Sequence, residues 1–209
     1  RKAEAMTRAI HAATPGRAPA MVRTIMMAAA LILGGCAGVV VGAGATTGVG
    51  ALQERGLEVA ARDTRLEAEV IGQWLTHNDK LVIKVSVEVY EGRALLTGAV
   101  DGDAMRADAV RLTWKVPHIK DVLNEIQIVA KSSLTDLARD IWITTQLRAK
   151  LTFDVEVLAI NYAVETVNGV VYMIGIAQNQ TELDRVVGHA RDIEYVRNVI
   201  SHVRVKGAS

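Results

Sequence analysis

Apolar positions along residues 64–128 follow first one period and then another. Leu66, Val70 and Trp74 recur at helical spacing, with Ile71 and Leu75 beside them, which predicts an amphipathic helix. Thr64-Arg65-Leu66-Glu67 has the form of a capping box and is read as its start; Asn78-Asp79 is read as its end. Val85, Val87 and Val89 then alternate as a strand. Glu91-Gly92 makes a turn, and Ala94 to Val100 returns as a second strand. Asp101 or Asp103 is expected to cap a second helix carrying Met105, Ala109, Leu112 and Val116, with Pro117 stopping it. Val122, Asn124, Ile126 and Ile128 share one face of a last strand.

The pattern then repeats. Residues 66–128 moved forward by 77 positions fall on residues 143–205 with no insertion or deletion. Leu81, Ile83 and Val87 land on Leu158, Ile160 and Val164; Gly92 and Gly98 land on Gly169 and Gly175; Val110 and Val122 land on Val187 and Val199. Ile143, Leu147 and Leu151 form the second copy's first stripe, and Val186, Val187 and Ala190 mark its second helix. Asn168-Gly169 is a stronger hairpin turn than Glu91-Gly92, because both residues tolerate positive φ. A register held this long implies two copies of one small folding unit. The expected class is α+β: two tandem α-β-β-α-β domains, each a three-stranded sheet with one face covered by two helices. The boundaries expected are residues 62–130 and 134–206.

Composition changes the picture mainly at the N-terminus. Residues 1–35 hold five basic side chains and one acid, so 19 basic and 22 acidic residues remain beyond them, a net charge of −3. A weakly acidic body has no general attraction to nucleic acid, so no nucleic-acid partner is expected. Met21-Val22-Arg23, the apolar run Ile25 to Leu33, and Gly34-Gly35 give the basic, apolar, small order of a secretory signal. Residues 1–20 read as upstream sequence. Leu33-Gly34-Gly35-Cys36 resembles the bacterial lipobox, which implies that Cys36, the chain's only cysteine, is lipidated. Residues 1–35 are then upstream sequence and signal peptide, and residues 36–61 a lipidated glycine-rich tether. The uncharged stretch from Thr24 to Gln53 is also long enough to span a bilayer, but seven glycines in residues 34–50 weigh against a helix there. Gly42-Ala43-Gly44 fails the dinucleotide-binding pattern at Thr47 and lacks its strand-turn-helix context.

The turn-strand-glycine signature (Glu91-Gly92 to Gly98, Asn168-Gly169 to Gly175) resembles the BON domain, a small bacterial module of exported proteins. So do the approaches to the last strands, Ile119 to Asn124 and Val196 to Val199. With the lipobox and Trp142-Ile143-Thr144-Thr145 opening the second copy, the chain is similar to dual-BON outer-membrane lipoproteins. Pro117 departs from the small residue usual at its place. The resemblance implies a lipid-anchored protein on the periplasmic face of the outer membrane. Its second copy would bind anionic phospholipid and support membrane integrity, with outer-membrane assembly proteins as further partners. The alternative it implies is a periplasmic scaffold or chaperone for envelope proteins.

Catalytic chemistry is not evident. No two of His11, His77, His118, His189 and His202 lie three to five residues apart, so no metal site is expected. No nucleophile elbow or P-loop is present. No enzyme activity and no cofactor are expected, and Asp63, Asp101, Asp103 and Asp184 are read as solvated turn and cap residues. The one candidate surface is the second copy's first helix. If Ile143, Leu147 and Leu151 face the sheet, Trp142, Ala149 and Phe153 form a stripe about 100° away, with Gln146 on it and Arg139 and Lys150 beside it. Aromatic rings with basic neighbours suit an anionic bilayer interface; packing of Trp142 and Phe153 against the first copy is the other reading. The lipid-binding set is Arg139, Trp142, Lys150, Leu151 and Phe153.

Overall fold

The computed structural model describes residues 54–129 and 133–207. Cys36, the signal and most of the tether lie outside the described residues. The first copy runs α1 (Gly56–His77), a short α2 (Asp79–Lys84), β1 (Val85–Tyr90), β2 (Arg93–Val100), α3 (Asp103–Thr113), β3 (Asp121–Asn124) and β4 (Gln127–Ile128). The second runs α4 (Leu134–Phe153), a 3-10 turn (Ala159–Asn161), β5 (Tyr162–Val167), β6 (Val170–Ala177), α5 (Gln180–Arg191) and β7 (Asn198–Val205). The fold is α+β, and both copies keep the expected α-β-β-α-β order, with the short α2 or the 3-10 turn added before the first strand and the first copy's last strand divided into β3 and β4.

Each sheet pairs its hairpin antiparallel and adds its last strand parallel to the second. β3 and β4 continue one register along β2. Both hairpins turn through two residues at positive φ, Glu91-Gly92 and Asn168-Gly169, the geometry that matches strand twist. Leu66, Val70 and Trp74 are buried under the first sheet with Leu81, Val89, Leu96 and Leu112. Ile143, Leu147 and Leu151 are buried under the second with Val164, Met173 and Val186.

Several boundaries move. α1 begins at Gly56, six residues inside the expected tether and eight before Thr64. Thr64 is mid-helix, its hydroxyl donating to the Ala60 carbonyl, and Glu67 instead accepts from the Val89 amide; there is no capping box there. α4 likewise begins at Leu134, well before Trp142, and Ser133 with Asp136 forms a capping box at its start. Neither Asp101 nor Asp103 caps α3; Gly102 holds that position. Ile71 and Leu75 are exposed. Asp63 is fully buried and is not the solvated residue expected. Pro117 does not disturb its loop: His118 and its counterpart Tyr195 take the same left-handed φ, 74° and 68°.

The second face of each sheet is also covered, which the pattern did not reveal. Tyr90 and Leu95 of the first sheet pack on Tyr172 and Ile174 of the second. The layers therefore run helices, sheet, sheet, helices. Hydrogen bonds cross the seam: the Gln127 side-chain amide donates to the Val167 carbonyl and to the Tyr172 hydroxyl, both at 3.0 Å. Asn168 donates to the Gln127 carbonyl oxygen at 2.8 Å, and Arg93 to the His202 carbonyl at 3.1 Å.

Candidate functional site

The candidate surface is built on α4. Its inner stripe, Asp140, Ile143, Leu147 and Leu151, is buried, so the opposite side must face outward. Leu151, expected to meet lipid, is 2% exposed and belongs to the core; it has no surface to offer. Arg139 and Lys150 are exposed, as expected. Trp142 is 41% and Phe153 84% exposed. Eleven residues apart, these two rings project from the same side of the helix, about 16 Å apart along its axis.

Trp142 finds its aromatic partner within its own copy. Its ring meets Tyr195 edge to face, centroids 5.9 Å apart, and the Arg139 guanidinium lies 5.2 Å from the Tyr195 centroid on the ring face, a cation-π arrangement. The Tyr195 hydroxyl is held above its ordinary pKa, first by its hydrogen bond with Glu194. Asp136 also meets Arg139, at 3.7 Å. Beside this stack a cleft of about 190 Å³ is lined in part by Arg139, Arg197 and Asn168. Among the described residues Phe153 makes no ring or cation-π contact, and Val155 just beyond it is 99% exposed. Leu134, Leu137 and Ile141 are exposed as well. Tyr195 and the three N-terminal apolar residues were not found from sequence: Tyr195 lies far along the chain, and the early turns of α4 carry no core stripe to set a phase.

The hairpin beside this surface is tied to the helix by Asp140. Its carboxylate accepts from the Asn168 and Gly169 amides, both at 2.7 Å. The matched residue, Asp63, accepts from the Glu91 and Gly92 amides at 2.8 and 3.0 Å. Burial pushes the Asp63 carboxyl up, while the Gly92 amide and Arg55 act against that rise. These are helix-to-turn struts present in both copies, so they position the surface and are not peculiar to it. Among the described residues no cluster of histidine, cysteine or carboxylates is arranged to hold a metal. No helix among them is long and apolar enough to cross a membrane.

Comparison with known proteins agrees with this geometry. The BON domain family model matches residues 62–130 and again 139–207. The outer membrane lipoprotein DolP of Haemophilus influenzae is 30% identical over 179 residues, covering 84% of this chain and 91% of that protein. An uncharacterized protein of Anaplasma centrale, from the gshII 5' region, is 41% identical over 123 residues, 58% of this chain and 82% of its own length. The osmotically-inducible protein Y of Escherichia coli is 25% identical over 146 residues, 69% and 73% of the two chains.

Proposed function

The chain belongs to the BON-domain family, and from that premise we propose that it is an envelope lipoprotein which docks on anionic phospholipid through the outward side of α4. Cys36 carries the lipid anchor, the protein sits on the periplasmic side of the outer membrane, and it acts by binding in support of membrane integrity, with no catalysis. The relation to an outer membrane lipoprotein over most of both chains supports the location. One observation carries the membrane contact: α4 presents Trp142 and Phe153 on one side, with Val155 beyond and Arg139 and Lys150 flanking. Apolar rings at the head-group boundary with cations reaching phosphate is the arrangement of an interfacial helix.

Trp142→Glu in a fragment comprising residues 54–209 tests it. Trp142 is outside the core, so circular dichroism and the thermal melt should stay near wild type. Co-sedimentation with phosphatidylglycerol vesicles should fall several-fold, with little sedimentation on phosphatidylcholine for either protein. Undiminished sedimentation with the fold retained would place the membrane contact elsewhere and end this reading. Salt should weaken the binding.

A further inference from the structure

The two copies carry matched clefts, and the first is built differently from the second. It lies where α1, the first hairpin and the last strand of the second copy meet, has a volume of about 400 Å³, and is lined by Val59, Arg62, Glu91, Arg93, Lys120 and Arg204. Four cations thus face one acid. Glu91 is engaged by Arg204. Arg93 reaches Asp121 only at 4.0 Å and donates to the His202 carbonyl. Among the described residues, Arg62 and Lys120 form no salt bridge, although the charge of Arg62 acts on the buried Asp63. They are the counterparts, 77 positions earlier, of Arg139 and Arg197, which line the second copy's cleft.

The substitutions around this shared frame are informative. Where the second copy has Trp142 and Tyr195, the first has Arg65 and His118, both exposed. The backbone at His118 and Tyr195 is alike, so the frame is kept while the Trp142 and Tyr195 rings are exchanged for an arginine and an imidazole. Val59 is the one apolar side chain in the lining. A group with several anionic oxygens would find donors here: the guanidinium groups of Arg62 and Arg93 and the ammonium of Lys120 line the cleft from α1, β2 and the loop before β3.

We propose that this cleft binds a phosphate group, carried by a phospholipid head group or free in solution. The site requires both copies, because Arg204 and the carbonyl that orients Arg93 come from the second. It does not depend on the membrane reading, which concerns α4.

The full chain in non-ionic detergent, titrated calorimetrically with inorganic phosphate at constant ionic strength, tests this. Saturable binding is expected. Arg62→Gln/Lys120→Gln should weaken it about tenfold or more, while Arg106→Gln/Arg111→Gln, removing the same charge from α3, should leave it unchanged. Arg62 and Lys120 are exposed, so the melt should not move; Lys120→Gln alone, with a smaller loss, provides a second measurement. No saturable phosphate binding would overturn the site. Equal weakening by the two double variants would also overturn it, by showing a general charge effect. Competition with glycerophosphoglycerol identifies the source. A diester that displaces phosphate at similar concentration indicates a lipid head group; one that fails to displace it indicates free phosphate.

Discussion

A Cβ built at Gly175 would lie 2.0 Å from the Asn161 carbonyl oxygen, and one at Gly98 2.1 Å from that of Lys84. In both copies the chain entering the first strand crosses the second strand so closely that only hydrogen fits. Gly175 pairs with Tyr162, and Gly98 with Val85, so the obstacle is backbone, which cannot rotate away. Even Gly175→Ala should therefore cost about 2–3 kcal/mol, as read from chemical denaturation. Gly72 is the control. It sits inside α1 with nothing within 4 Å of an added Cβ, and Gly72→Ala should stabilise by about 0.5–1 kcal/mol. A neutral Gly175→Ala would mean that the strand crossing relaxes. The glycines were visible as repeated positions in the sequence; that backbone and not a covering helix forbids a side chain there is visible only in three dimensions.

Helix and hairpin are joined in each copy by one buried carboxylate. Asp140 reaches across from α4 to two turn amides of which Gly169 N is buried. Asp140→Ala would leave those donors without their acceptor and should destabilise by about 3 kcal/mol; Asp140→Asn, which keeps one oxygen, should cost less. A loss below about 1 kcal/mol for the alanine variant would show that water satisfies the turn. Sequence pattern could not find this strut. An aspartate immediately before Thr-Arg-Leu-Glu, or two residues before Trp-Ile-Thr-Thr, looks like a cap when the helix start is placed too late. The starts were misplaced because the first two turns of α1 and α4 bury little besides Asp63 and Asp140, so no apolar stripe marks them. Later in the same helices the period is strong, and it places Leu66, Val70, Trp74, Ile143 and Leu147 in the core; Leu151 shares that phase, and its place in the lipid-binding set conflicts with it. The exposed Trp142 and Phe153 follow from that phase. The Tyr195 contact does not, because it depends on a left-handed turn 53 residues away.

The two copies meet through sheet faces that the alternating pattern leaves ambiguous. Leu95-Leu96 in β2 and the unbroken apolar run of β6 are the signs of strands buried on both sides. At the margin of this seam Glu88 of β1 shares a cleft with Arg148, Thr152 and Ala163 of the second copy. Its carboxyl is pushed up to about 7, first by burial and then by Glu67 and Glu165, against the pull of Arg148 and Arg55. Burial raises Glu67 and Glu165 as well. Each of these groups holds its proton more tightly folded than unfolded, where the value is 4.5. Between pH 4.5 and about 7 Glu88 holds more proton in the folded chain, so stability falls as pH rises through that window and its contribution is most favourable below it; Glu67 and Glu165 act in the same direction. Glu54, held low chiefly by its hydrogen bond with Lys206, acts in the opposite sense at lower pH and is exposed to screening. Glu88→Gln removes the charge and keeps the shape. It should raise Tm at pH 8, leave Tm at pH 4.5 nearly unchanged, and flatten the slope between. A slope as steep as wild type would assign the pH dependence to other carboxylates and leave Glu88 solvated at the seam.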